Sequence, residues 1–227
     1  MLGVTMTILT DPPELRGLDS MLVDLYFAEA WALAVSVREQ CERVFVLAKS
    51  SAESGGSYMA VRPEVHKLIA SCLSDAANLK KLIRTSSSRG DKETKRGYDL
   101  RQYRAKMLSD LLLQVDFQEL TNARLRNTIE HFDEYLDSAV LALSDSKARK
   151  SPWAGYNLVV SALTIHDPPV HPIRVYSADD RTYHNFRWSI NLDQLCREAA
   201  ATELILGSHP KNSHTQSPGG AMLSFHA

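Results

Sequence analysis

Leu125-Arg126-Asn127-Thr128-Ile129-Glu130-His131-Phe132-Asp133-Glu134-Tyr135-Leu136-Asp137 reads as the middle of one long helix, running from Phe117 to about Leu143. Asp116 with Glu119 three residues later forms a pair of the capping-box kind, and Val115 and Leu120 can close over it as a hydrophobic staple. At roughly 100° per residue, Leu125, Ile129, Phe132, Leu136, Val140 and Leu143 fall on one apolar stripe, which must face a core. Arg124, Asn127, His131 and Tyr135 line one polar flank, and Arg126, Glu130, Asp133 and Asp137 line the other.

The rest of the chain supplies what this helix packs against. With 227 residues it suits one domain, or one domain with an appendage, and is long enough for a core. A net charge of -1 announces neither a nucleic-acid nor a membrane partner. Cys41, Cys72 and Cys196 lack metal-type spacing and sit in apolar, helix-like contexts, as buried free thiols of a reducing compartment do. No apolar run reaches the roughly 20 residues of a bilayer span, and the start of the chain lacks a basic n-region. The expectation is a cytoplasmic protein without a membrane partner.

Residues 1–18 read as an irregular lead-in broken by Asp11-Pro12-Pro13, and 19–143 as a helical bundle. Asp19 or Ser20 can cap a first helix whose inner face approximates Leu22, Leu25, Glu29, Ala32, Leu33, Ser36, Val37, Val44 and Leu47. Ser50 to Gly56 has linker composition, and Pro63 suits the first turn of a second helix. That helix buries Val65, Leu68, Ile69, Cys72, Leu73, Ala76, Leu79, Leu82 and Ile83. Thr85 to Gly97 is polar with two glycines and reads as a mobile loop, before a third helix from about Leu100 to Gln114.

Beyond Leu143 a charged linker leads to a second unit, 153–207, a β-hairpin plus a C-terminal helix packed on the bundle. Asn157 to Ile165 is β-branched and strand-like. Ile173 to Tyr176 and Tyr183 to Ile190 read as a hairpin, with Asn191 capping a last helix that Gly207 can end. Residues 208–227 read as a disordered tail. The expected fold is mainly α: a four- to five-helix bundle with a small antiparallel β-hairpin element inserted before the last helix.

Within the central helix, Arg126-Asn127-Thr128-Ile129-Glu130-His131 resembles the Arg-to-His motif of the HEPN superfamily, including the polar residue after the Arg. The likeness covers residues 19–143 and, less fully, the chain to 207. It implies a metal-independent endoribonuclease, of toxin or defence type, acting as a homodimer through the motif helix, with RNA as substrate and an antitoxin or other protein as partner. It also implies an alternative, a catalytically silent HEPN-like module that binds RNA, nucleotide or a protein. No cofactor and no metal belong to this chemistry. The 2′-hydroxyl of RNA attacks the adjacent phosphate when a base takes its proton and an acid protects the leaving oxygen, and imidazole titrates in the range both roles need. On this pattern His131 is acid or base, Arg126 the phosphate clamp and Asn127 an orienting partner, while Arg124 and Tyr135 contribute to substrate binding.

The spacing limits that pattern. Arg126 and His131 lie about 140° apart around an ideal helix, so a second protomer must complete the site; Arg124, with six residues intervening before His131, can share the arginine's role. Glu130, Asp133, Glu134 and Asp137 oppose phosphate approach. The basic run Arg84, Arg89, Lys92, Lys95, Arg96, Arg101, Arg104 and Lys106 is a phosphate-attracting footprint or a solvated loop. Arg126 with Glu130 is equally an ordinary surface ion pair. His166, His171 and His184 lack the spacing of a metal site, and Trp153, Phe186 and Trp188 read as packing between the β element and the bundle.

Overall fold

The computed structural model describes residues 20–49, 59–122, 127, 129–145, 147, 151, 153–165, 167 and 170–209. The lead-in and the tail beyond residue 209 lie outside them. In chain order the elements are α1 (Ser20–Lys49), β1 (Met59–Val61), α2 (Pro63–Ile83), α3 (Lys95–Leu111), α4 (Phe132–Ser144), β2 (Ala154–Val160), β3 (His171–Ser177), β4 (Thr182–Asn185), β5 (Trp188–Asn191) and α5 (Leu192–Gly207).

α1 is the spine. Besides Val35, its buried residues are Val23, Phe27, Ala30, Ala34, Val37, Cys41, Val44 and Ala48, steps of four and three that hold one stripe inward along the helix. The stripe is mostly small, which lets α2 and α5 approach closely on either side. The inner face expected from the large aliphatics is therefore displaced: Leu25 is 41% exposed, whereas Ala30 and Ala34 are fully buried. Polar clamps lock both neighbours. Ser36 Oγ and Gln40 Nε2 each donate to Asp75 Oδ2 on α2 at 2.7 Å, and Arg38 Nε donates to Glu203 Oε2 on α5 at 2.5 Å. α2 matches its expected face, burying Val65, Ile69, Cys72, Leu73, Ala76, Leu79 and Ile83, with Pro63 opening the helix.

The expected helical bundle with a small hairpin is not the fold. The helices pack on a five-stranded mixed sheet of order β1-β2-β3-β4-β5, in which β2 and β3 run parallel and every other neighbouring pair is antiparallel. Ala60, Val159, Tyr176, Tyr183 and Ile190 align in register across it. The last four are buried in the helical core. Two features hid this sheet. β1 is three residues long, too short to show an alternating pattern, and lies where a linker meets a helix. The hairpin expected around residues 177–181 does form, but the stretch after it folds back once more at Phe186 and Arg187 to make two strands rather than one. The parallel crossover from β2 to β3 lays Leu163, Ile165 and Val170 over Leu158, Val160 and Val175 on the far face. Gly155 permits it: a Cβ there would lie 2.9 Å from Val170 Cγ1.

The single helix from Phe117 to Leu143 is also corrected. Residues 112–122 form turns, and Glu198 on α5 holds part of them. Its side chain is 3% exposed, and its carboxylate accepts the backbone N–H groups of Gln118, Glu119 and Leu120 at 2.8–3.0 Å, with Gln194 Nε2 at 3.0 Å. A buried carboxylate that takes three successive N–H groups ties these turns to α5. Glu119, expected to close a capping box with Asp116, instead accepts from the backbone N–H of Asn191 at 3.1 Å, and Asp116 accepts from Gln118 Nε2. Asn191 caps α5 as expected, accepting from Gln194 N at 2.8 Å. Gly207 does not end α5 by a left-handed turn; it makes room for α1, since a Cβ there would meet Trp31 Nε1 at 3.1 Å.

The loop before α3 is tied down. Arg101 donates to the Ser86 and Ser88 carbonyls, to Thr85 Oγ1 and to both carboxylate oxygens of Glu93. That guanidinium holds the Glu93 carboxyl down at about 2.

Candidate functional site

α2 buries Leu73, Ala76 and Ala77 on its inner side, and the same turns carry Ser74, Asn78, Lys81 and Arg84 out to solvent. A shallow groove follows this helix edge. One end is walled by Glu119, Leu120 and Asn122 with Ile190, and holds Lys80, Lys81 and Arg84. The other is walled by Ile129 and Glu130, with Ala70, Ser74 and Asn78. Leu73, Ala77 and Lys81 are common to both. The cavities of about 100 and 160 Å³ are well below the roughly 300 Å³ at which small-molecule pockets begin, so the groove suits surface recognition rather than an enclosed nucleotide.

The charges in the groove are not equivalent. Lys80 Nζ donates to the Thr121 carbonyl at 2.9 Å and so holds the wall. Lys81 and Arg84 are exposed, and among the described residues neither side chain has a hydrogen bond or ion pair. Much of the basic run that follows is engaged at home. Arg101 holds the loop, and Arg104 donates to the Lys81 and Leu82 carbonyls over the Tyr26 ring. Lys95 pairs with Asp99 and Lys106 with Asp110. In the groove, Lys81 in the last turn of α2 and Arg84 at its extended C-cap therefore remain available to a ligand; Lys81 was not singled out in the sequence.

From the motif string, Ile129 and Glu130 line this groove. Arg124, Arg126 and Thr128 lie outside the described residues. Asn127 is exposed, and its carbonyl accepts the His131 backbone N–H at 2.9 Å. His131 is the kink: φ -108 and ψ 39 break helical geometry there, and α4 starts at the next residue. Its side chain is 57% exposed, with Nδ1 3.6 Å from Glu134 Oε1 and the other ring nitrogen unpaired. Glu130, Asp133, Glu134 and Asp137 are exposed around it.

Past the kink the helix does something else. Phe132 and Tyr135 pack on Phe186, at ring-centroid distances of 5.5 and 5.9 Å, and Leu136, Ala139 and Leu143 join them against Ile173. Tyr135, on the same expected flank as His131, is thus engaged in packing. Val140, expected inside, is 54% exposed and Leu141 is 73% exposed. Arg174 holds the helix start to the sheet, its guanidinium 3.8 Å from the Phe132 ring centre. Arg174 has φ 58, and Asn157 beside it on β2 has φ 52, two left-handed residues side by side in parallel strands.

Of the other constellations, His171 and His184 each bury an Nε2 without a partner, and His166 lies outside the described residues. Burial lowers both imidazoles below their ordinary range. Among the described residues no group of three His, Cys, Asp or Glu side chains is placed to hold a metal ion. None of the described helices is long and apolar enough to cross a membrane. Phe186 packs on α4, and Trp188 packs half-buried on the main core, whereas Trp153 is 55% exposed.

No family model, curated protein or solved structure matches the chain.

Proposed function

We propose that this chain is a catalytically silent, HEPN-like RNA-binding module, and that single-stranded RNA lies along the α2 groove with its phosphates on Lys81 and Arg84. The observation carrying this reading is that these two cations, among the described residues, have no side-chain partner and lie in a groove that Ile129 and Glu130 wall at its other end. Basic residues near a helix C-terminus also complement its dipole. Phosphate binding is the further role that solvent-facing, unengaged side chains can take. RNA is favoured over a free nucleotide because the groove is too shallow to enclose a base. Silence is favoured because the ionic neighbour of His131 is Glu134, with three more exposed carboxylates close in sequence. Such a field repels a phosphodiester at the point where cleavage needs it.

The second reading is the metal-independent endoribonuclease completed by a homodimer. The exposure of His131, together with Val140 and Leu141 on the outer side of α4, leaves that helix open to a second copy. There His131 would be acid or base and Arg126 or Arg124 would hold the phosphate. A toxin or defence role, an antitoxin partner and a cytoplasmic address go with this reading. One experiment separates the two. Purified protein is incubated with labelled single-stranded RNA in EDTA and examined for both retention and cleavage. The silent module retains intact RNA; cleavage that His131→Ala abolishes would establish the nuclease instead.

A further inference from the structure

All three cysteines of the chain meet at one place. Cys41 on α1 and Cys72 on α2 are fully buried, with their Sγ atoms 3.5 Å apart, in van der Waals contact. Cys196 on α5 lies within hydrogen-bond reach of Cys41, and its own thiol also approaches the Arg38 carbonyl at 3.9 Å. Cys41 is therefore the hub of a three-thiol cluster where α1 touches both of its neighbours. Only Cys196 is partly open to solvent.

We propose that this cluster is a thiol–disulfide relay in which Cys196 takes the oxidising equivalent from a small-molecule disulfide and Cys41 passes it inward, ending as a Cys41–Cys72 disulfide that staples α1 to α2. The Cys196 thiolate attacks one sulfur of the small disulfide; that S–S bond breaks, and one small thiolate leaves. Cys41, having lost its proton, attacks the Cys196 sulfur and expels the second small thiolate, forming a Cys41–Cys196 bond. Cys72 then attacks the Cys41 sulfur and releases Cys196 as a thiol. Two protein thiols have given up two electrons and two protons, and the small disulfide has taken them up as two thiols. The last transfer joins sulfurs already 3.5 Å apart, which a disulfide brings to about 2.05 Å.

The same packing makes the relay slow at neutral pH. The bond to Cys41 and burial push the Cys196 thiol up. At Cys41 the bond from Cys196 pulls down, but the bond to Cys72 and burial outweigh it. Glu42 adds repulsion at both. Thiolate is scarce, so the cluster rests reduced and oxidises faster as pH rises.

The test uses the full chain with glutathione disulfide at pH 7 and pH 9, followed by alkylation of the unfolded protein and non-reducing peptide mapping. The expected product has Cys41 joined to Cys72 and Cys196 alkylated, forming at least tenfold faster at the higher pH. Cys196→Ser slows the reaction tenfold or more, and Cys72→Ser stops at Cys41–Cys196. Circular dichroism confirms that each variant is folded. Where a serine unfolds the chain, the alanine variant is used. Three alkylatable thiols after prolonged oxidation, a lasting mixed disulfide on wild-type Cys196, or an undiminished rate in Cys196→Ser would each overturn the relay.

Discussion

Glu198 is a buried charge that ties distant chain to α5. Its carboxylate accepts the N–H groups of residues 118–120 and fixes these turns in place. Glu198→Ala leaves three inward N–H groups without an acceptor, at a cost of about 3 kcal/mol, while Glu198→Gln keeps one oxygen and costs less, a ranking that urea denaturation can check. His66 works in the opposite sense to a paired charge. Burial lowers its imidazole from 6.5 to about 4, outweighing the opposite pull of the Asn157 backbone. Above 6.5 folded and unfolded chains both hold it neutral, and it adds no pH dependence. Between 6.5 and about 4 the unfolded chain gains a proton that the fold resists, so stability falls as pH falls, by about 3 kcal/mol in total. His171 and His184 are shifted in the same direction. The measurement is the unfolding free energy at pH 7.5 and pH 5, with a shallower difference expected for His66→Gln; an equal difference in the variant would refute the assignment.

At the scale of elements, the contrast between α1 and α4 shows how a helix's small residues and its large ones give different signals. α1 buries Ala30, Ala34 and Cys41, so Ala34→Leu forces apart helices that approach there and costs about 1–3 kcal/mol in thermal or urea unfolding. α4 has only Ala139 buried and is held through Phe132, Tyr135, Leu136 and the Arg174 contact. Arg174→Ala is expected to raise amide exchange along α4 while leaving α1 and α2 protected, because the helix belongs to the small cluster and not to the main core. These elements also show what was legible beforehand. α2 has a clean 3.6-residue period and a proline at its start, and of the nine residues expected inside only Leu68 and Leu82 are half-buried rather than buried. The α5 cap at Asn191 was readable because capping is local chemistry. β1 was not, since three residues carry no period and its existence depends on pairing with β2, far away in sequence. The 117–122 turns were not, because the group that holds them is on another element.

Over the whole molecule, the sequence marked the string that gives Ile129 and Glu130 to the groove wall but not the groove. His131 stood out as a motif residue, and the structure puts it at an exposed kink beside Glu134. Lys81 gave no such signal; it looked like one lysine among many until Arg101, Arg104, Lys95 and Lys106 were found engaged elsewhere. The account's central claim is that Lys81 and Arg84 carry RNA. Fluorescence anisotropy of a labelled single-stranded oligoribonucleotide, titrated across a salt series in EDTA, tests it most directly. Wild-type protein should bind with an affinity that falls as salt rises, and Lys81→Ala with Arg84→Ala together should weaken binding and flatten the log–log salt slope by about 1.4, about 0.7 for each lost phosphate contact. Binding unchanged in the double variant, or no binding by the wild-type protein even at low salt, would contradict the account.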